Sequence, residues 1–134
     1  MTDFNQAIKI NPNYARAYYN RGNARNDLGD KQGAIADFNQ AIKINPNHAV
    51  AYGNRGLARY NLGDLQEAIA DYTLALKINS NFAKAYGNRG VARADLGDKQ
   101  GAIADLQKAA KLFQEQGKTD LYQKTLELIR QFQR

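Results

Sequence analysis

Apolar residues return at every third or fourth position along much of the chain, and this pattern predicts α-helices. The clearest stretch runs from about Lys31 to Ile44. Its apolar residues form one helical face; they are Ala34, Ile35, Phe38, Ala41 and Ile42. The following Asn45-Pro46-Asn47 predicts a break in the chain. This stretch is the second helix of a unit that occurs several times.

A first helix is predicted ahead of it, from about Tyr14 to Leu28. Its small residues Ala17, Gly22 and Ala24 would allow another backbone to come close. Gly29 and Asp30 follow, and these residue types are typical of a helix stop and of the cap of a next helix. Each unit is therefore predicted to be a pair of helices.

The units repeat with a fixed period. The segment DFNQAIKINPN occurs at Asp3–Asn13 and again at Asp37–Asn47, 34 residues later. Such a period indicates stacked copies of one unit, because a single unit cannot bury its own apolar face. Of the 34 positions, 18 are identical in all three units. The predicted organisation is a half unit at 1–14, units at 15–48, 49–82 and 83–116, and a final helix at 118–134.

The signature positions of these units resemble those of the tetratricopeptide repeat family. In the first unit they are Tyr18, Gly22, Ala34, Phe38 and Pro46. Arg21 and Arg25 stand where the family usually has leucine and tyrosine, which resembles a bacterial variety with an NRG-x-A-R string. The resemblance implies an all-α fold, a right-handed superhelical solenoid of antiparallel helix pairs.

Both ends of the chain depart from the unit. Residues 1–14 match a second helix without its first, so we expect a piece of a longer array or an engineered array. Phe4 and Ile8 would then be open to a second copy, which predicts a homo-oligomer; the alternative is that this helix caps the first unit.

Residues 118–134 are expected to form a capping helix, with a partner-binding amphipathic helix as the alternative. Thr119 or Asp120 is predicted to be its N-cap. The predicted apolar face comprises Leu121, Tyr122, Thr125, Leu126, Ile129 and Phe132.

Each unit places two arginines four residues apart, beginning with Arg21 and Arg25. Like charges at this spacing cost about 0.2–0.5 kcal/mol per pair, so a compensating partner is expected. Asp37, Asp71 and Asp105 recur with the same period on the second helices. We therefore predict an Arg–Asp ladder between the two helices of each pair. The alternative is a basic stripe that binds nucleic acid.

Composition narrows the function. The chain has no cysteine, and His48 occupies a position that holds Tyr14 and Phe82 in other copies, so we expect it to pack and not to bind a metal. No serine or threonine has a credible base, and the carboxylates recur as scaffold residues do. We therefore expect no enzyme activity and no cofactor.

The net charge of +6 arises from mixed charges and indicates an ordinary solvated surface, so nucleic acid is not the favoured partner. No apolar run approaches the length of a membrane span. No signal peptide is recognisable, and we expect a cytoplasmic location.

Positions of the first helices that differ between otherwise identical units mark an adjustable surface, on the side that is concave in such solenoids. Together with recurring asparagines, which can donate to and accept from a peptide backbone, they form the predicted site. Its residues are Arg16, Tyr19, Asn20, Asn23, Asn54, Leu57, Tyr60, Lys84, Asn88 and Val91. The predicted function is a protein–protein interaction scaffold that binds a peptide or partner segment. The alternatives are a structural or designed array without a native ligand, and a basic nucleic-acid-binding solenoid.

One subset of the family binds the C-terminal carboxylate of heat-shock chaperones through Lys, Asn, Asn, Lys and Arg at fixed places. The resemblance puts those places at Tyr19, Asn23, Asn54, Lys84 and Asn88. Three of the five agree, and the first lysine and the final arginine are missing. The resemblance therefore implies a weaker carboxylate or peptide site near Asn23, Asn54 and Lys84.

Overall fold

The structure, a computed structural model, describes every residue from Met1 to Arg134 and contains helices without strands. The helices are α1 (Thr2–Ile10), α2 (Ala15–Asp27), α3 (Lys31–Ile44), α4 (Ala49–Asn61), α5 (Leu65–Ile78), α6 (Ala83–Asp95), α7 (Lys99–Glu115) and α8 (Thr119–Gln133). The all-α fold class predicted from the sequence is confirmed. The ends of α2 and α7 fall within one residue of their predicted positions.

The helices pack in consecutive pairs. The most extensive contacts join α2 with α3, α4 with α5, and α6 with α7, and α8 packs on α7. Successive pairs meet through α3 with α4 and α5 with α6. In addition α2 touches α4 and α4 touches α6, so the first helices of the three pairs are neighbours along one side of the stack.

Glycine ends the first helix of each pair, because the chain there needs a backbone conformation that other residues rarely adopt. Gly29 has a φ of 88°, and its equivalents in the next two pairs have 86° and 89°. The N–H of Asp30 then donates to the carbonyl of Arg25 at 2.8 Å and closes the end of α2. The Asp30 carboxylate accepts from the N–H of Gly33 at 2.9 Å and caps α3. The predicted stop and cap are confirmed.

Asparagine, and not proline, fixes the break between pairs. The side-chain oxygen of Asn45 accepts from the N–H of Asn47 at 3.2 Å, and the same bond recurs at the next break at 3.1 Å. Such turns set the chain direction by themselves. This explains why Ser80 can occupy the place of Pro46.

Glycines inside the first helices allow the two helices of a pair to approach closely. Gly22 faces Phe38, and a β-carbon at Gly22 would lie 2.8 Å from the Phe38 ring. Gly56 faces Tyr72 in the same way, again at 2.8 Å. Phe38 and Tyr72 are fully buried, so each ring fills the space that the glycine leaves. The predicted close approach is made by a side chain at Gly22. At the equivalent Gly56 and Gly90 it includes the facing backbone, since a β-carbon there would lie 3.2 and 3.0 Å from a carbonyl oxygen.

The N-cap predicted for α8 is wrong. The helix begins at Thr119, so its N-cap is Lys118, and no side chain makes a capping hydrogen bond there. Neither Thr119 nor Asp120 caps it, although threonine and aspartate are common capping residues. Thr125 and Ile129 are buried on the predicted apolar face.

The first helix, α1, packs on α2. Phe4 and Ile8 are half-buried, whereas Ile10 is 82% exposed. Self-association through Phe4 and Ile8 stays a prediction. No helix of the structure is both long enough and apolar enough to cross a membrane.

Replacing Gly56 by alanine should destabilise the fold by about 1–3 kcal/mol, because the added methyl would press on the Tyr72 ring at 2.8 Å and on the Ala68 carbonyl at 3.2 Å. Gly87→Ala is the matched control. A methyl there meets only the β-carbon of Ala109, at 3.8 Å, so the variant should gain about 0.5–1 kcal/mol of helix stability. Urea unfolding, followed by circular dichroism, measures the free energy of unfolding of both variants. Equal effects of the two substitutions would contradict the close approach.

Candidate peptide-binding groove

Two arginines hold a buried aspartate between the helices of each pair. Nε and Nη2 of Arg21 donate to the carboxylate oxygens of Asp37 at 2.9 and 2.7 Å, and Nη1 of Arg25 donates to the same group at 2.9 Å. Asp37 is only 3% exposed. Its hydrogen bonds with the guanidinium raise the pKa of Arg21. The predicted Arg–Asp ladder is confirmed, and these arginines do not form an exposed basic stripe.

Each rung of the ladder also reaches the preceding pair. The rungs are Arg21 and Arg25 with Asp37, Arg55 and Arg59 with Asp71, and Arg89 and Arg93 with Asp105. In the second rung the remaining nitrogen, Nη1 of Arg55, donates to Asn39 of α3 at 2.8 Å. The same guanidinium lies 5.3 Å from the ring centroid of Tyr52. One rung therefore joins three helices.

The ladder accounts for half of the net charge. Each rung has two arginines and one aspartate and so carries one positive charge, which gives +3 of the +6 for three rungs. This charge is held between helices, where it supports the fold. No group of three or more histidine, cysteine or acidic side chains is placed to hold a metal ion.

The residues predicted to bind a peptide all lie on α2, α4 and α6, the neighbouring first helices of the three pairs. We call the side of these helices that carries them the groove face. Its residues are Arg16, Tyr19, Asn20 and Asn23 on α2, Asn54, Leu57 and Tyr60 on α4, and Lys84, Asn88 and Val91 on α6.

Tyr19, Asn23 and Asn54 come together on the groove face. Nδ2 of Asn54 donates to the Tyr19 hydroxyl at 3.2 Å and to Oδ1 of Asn23 at 2.9 Å. Both amide hydrogens of Asn54 are therefore used inside the protein. The network links the first two repeats and leaves the NH₂ group of Asn23 without a protein partner.

A cavity of about 440 Å³ lies where α2 and α4 begin, and it includes the predicted residues Arg16 and Tyr19. The Tyr19 ring packs on His48 in this cavity, with 4.8 Å between ring centroids. Nδ1 of His48 also accepts from the N–H of Ala51 at 3.2 Å and caps α4, and burial lowers the pKa of His48. The expected packing role is present. The capping role was missed, although the position of His48 just before a helix was a usable signal.

A second cavity, of about 190 Å³, lies between α6, α7 and α8. The predicted residues that line it are Lys84, Asn88 and Val91. Its other wall includes Leu121, Lys124 and Leu128 of α8. Sequence reasoning favoured capping for α8 and included none of the three in the predicted site. Leu121 of the predicted apolar face lines this cavity and is 38% exposed.

The other predicted residues lie outside both cavities. The Tyr60 hydroxyl donates to the carboxylate of Asp95, and this bond raises the pKa of Tyr60. Tyr60 is thus already bonded within the protein. Asn20 and Leu57 are half-buried on the groove face, and the side chain of Asn20 bonds to no protein group.

Comparison with known families agrees with this geometry. The sequence model described as tetratricopeptide repeat matches residues 15–48 and 49–82, and a second model of the same description matches 83–116. The chain belongs to the tetratricopeptide repeat (TPR) family. A search of curated proteins gave no match.

Solved structures with the same fold include several TPR domains. The crystal structure of MamA protein is 29% identical with a TM-score of 0.77, and the match covers 86% of this chain and 63% of MamA. The Arabidopsis OM64 TPR domain is 29% identical with a TM-score of 0.78, covering 87% of this chain and 94% of that one. The first TPR of Spaghetti (RPAP3), bound to HSP90 peptide SRMEEVD, is 26% identical with a TM-score of 0.74, covering 87% and 93%. These likenesses confirm the predicted superhelical solenoid.

Replacing Asp71 by asparagine should destabilise the protein by about 3 kcal/mol, because Arg55 and Arg59 would lose the charge that they surround. Glu67→Gln is the control. That carboxylate also approaches Arg59, at 3.8 Å, but its side chain is 67% exposed, so less than about 0.5 kcal/mol is expected. Urea denaturation of both variants gives the comparison. A loss below about 1 kcal/mol for Asp71→Asn would show that the rung contributes little.

Proposed function

We propose that the protein is an interaction scaffold that binds an extended segment of a partner protein along the groove face. Membership of the TPR family and the likeness to a TPR domain bound to HSP90 peptide SRMEEVD support this function. Binding by such a surface requires no catalytic group, and we infer that the protein acts without one.

The proposal depends mainly on unused hydrogen-bonding groups along the groove face. The side chains of Asn20 and Asn88 and the ammonium of Lys84 bond to no other protein group, and the NH₂ group of Asn23 is also free. Asn20, Asn23 and Asn88 are half-buried, so their orientation is constrained by neighbours. An extended peptide offers alternating N–H and C=O groups, and asparagine can bond to either.

The groove should recognise the peptide backbone more than a terminal carboxylate. Asn54 occupies one of the carboxylate-binding places, but both its amide hydrogens go to Tyr19 and Asn23. Two other places hold Tyr19 and Asn88 in the positions of a lysine and an arginine. Lys84 and Asn23 remain as free donors, which suits a weak and exposed contact with an anion.

Selection from a displayed peptide library against the whole chain tests the function. We expect selected peptides to lose about tenfold in affinity when Asn20 and Asn88 are both replaced by alanine, since two hydrogen bonds of about 0.5–1.5 kcal/mol each are removed. Gln107→Ala, an exposed amide on α7, is the control and should bind normally. Unchanged affinity in the double variant would rule out the groove face.

Each selected peptide is also measured with a free and with an amidated C-terminus. We expect less than about a fivefold difference, as for an exposed ion pair. A loss of a hundredfold on amidation would contradict recognition of the backbone and indicate a carboxylate site.

A further inference from the structure

One position of the repeat holds an aromatic residue three times and a glutamine the fourth time. It holds Tyr14, His48, Phe82 and finally Gln116, at intervals of 34 residues. The His48 ring packs on Tyr19, and the Phe82 ring covers Gly53, where a β-carbon would lie 3.1 Å from it. Gln116 has no ring to pack on the preceding repeat. Its Nε2 donates to the carbonyl of Asn81 at 3.1 Å.

Gly87 is the equivalent of Tyr19 and Gly53 in the third repeat, and no ring covers it. A β-carbon at Gly87 would meet only the β-carbon of Ala109. The 190 Å³ cavity opens directly over Gly87. In the other two repeats a ring packs on the equivalent glycine or tyrosine. In the third repeat the one ring that lines the cavity, Phe113, stays more than 4 Å from a β-carbon at Gly87.

The cavity suits one aromatic side chain. A closed apolar cavity of about 150 Å³ can bind benzene. This open cavity has about 190 Å³, and five of its ten lining residues are apolar. Its walls include Val91, Leu106 and Leu128, while Leu121 stands at the opening with 38% of its surface exposed. A partner ring seated there would be covered by apolar groups from three helices.

The rim of the cavity is positively charged. Lys84 and Lys124 both line it, both are exposed, and neither forms an ion pair. Glu127 lies one turn after Lys124 on α8. Its carboxylate pairs with Arg130, at 3.3 Å, and not with Lys124. Acidic groups of a partner would therefore find two lysines without an ion-pair partner beside the apolar side chains of the cavity.

We propose that this cavity binds a phenylalanine side chain of the partner segment, and that acidic residues on either side of that phenylalanine contact Lys84 and Lys124. This inference rests on the proposed function and specifies the chemistry of the partner. It gives α8 a direct part in recognition, in addition to covering the last pair.

The probe is a short capped peptide with one phenylalanine between glutamates, titrated into the whole chain by calorimetry. Replacing its phenylalanine by alanine should weaken binding about tenfold to hundredfold, as expected for one buried aromatic side chain. Replacing its glutamates by glutamine should weaken binding several-fold at low salt and have little effect at high salt.

Two matched pairs of protein variants locate the site. Gly87→Phe should fill the cavity from within and abolish the contribution of the peptide phenylalanine, whereas Gln107→Phe, the same ring added at an exposed residue of α7 outside the cavity, should bind normally. Lys124→Glu should weaken binding, whereas Lys108→Glu, the same charge change on an exposed residue of α7 outside the cavity, should not. Leu121→Ser, at the exposed opening of the cavity, should also weaken binding of the phenylalanine peptide. It takes the place of Gly87→Phe if that variant does not fold.

The proposal is wrong if the phenylalanine and alanine peptides bind equally, or if neither binds. It is also wrong if Gly87→Phe or, in its place, Leu121→Ser leaves the affinity unchanged. Library-selected peptides that depend on Asn20 but not on Gly87 would overturn this inference while leaving the proposed function intact.

Discussion

A buried aspartate held by two arginines fixes the geometry of every repeat. The carboxylate of Asp37 takes three hydrogen bonds from two guanidinium groups, and the same arrangement recurs at Asp71 and Asp105. Removing one member would leave charge uncompensated in a largely dry site, which is costly. Because the first arginine of a rung also bonds to the preceding pair, the rung sets the spacing within a pair and the position of its neighbour.

These fixed contacts leave the groove face, apart from its recurring asparagines, free to vary. The glycines that face Phe38 and Tyr72 and the arginines of the ladder lie between helices, and they are identical in every unit. Tyr19, Gly53 and Gly87 occupy one equivalent position on the other side and differ in how they are covered. A repeat can therefore change what it binds without losing the contacts that hold it in the stack.

The sequence was sufficient wherever a feature recurs in every unit. The period, the helix pairs, the Gly29 stop and the Arg–Asp ladder all depend on repeated residues, and their physical roles follow from spacing. The bonding of Asn54 to Tyr19 and Asn23 was not predictable, because it depends on side-chain rotation across two repeats. The position of Leu121 and Lys124 beside the groove was not predicted for another reason. They belong to α8, which lies outside the repeating units, so no comparison between units could reveal which of its residues face the groove.

A crystal structure of the chain with a library-selected peptide tests the central claim most directly, namely that the ladder supports the stack while the groove face binds the partner. The peptide should lie along α2, α4 and α6, with hydrogen bonds to Asn20 and Asn88 and all three rungs unchanged. A peptide seated on α3, α5 and α7, or one that takes an arginine away from Asp71, would contradict that division of roles.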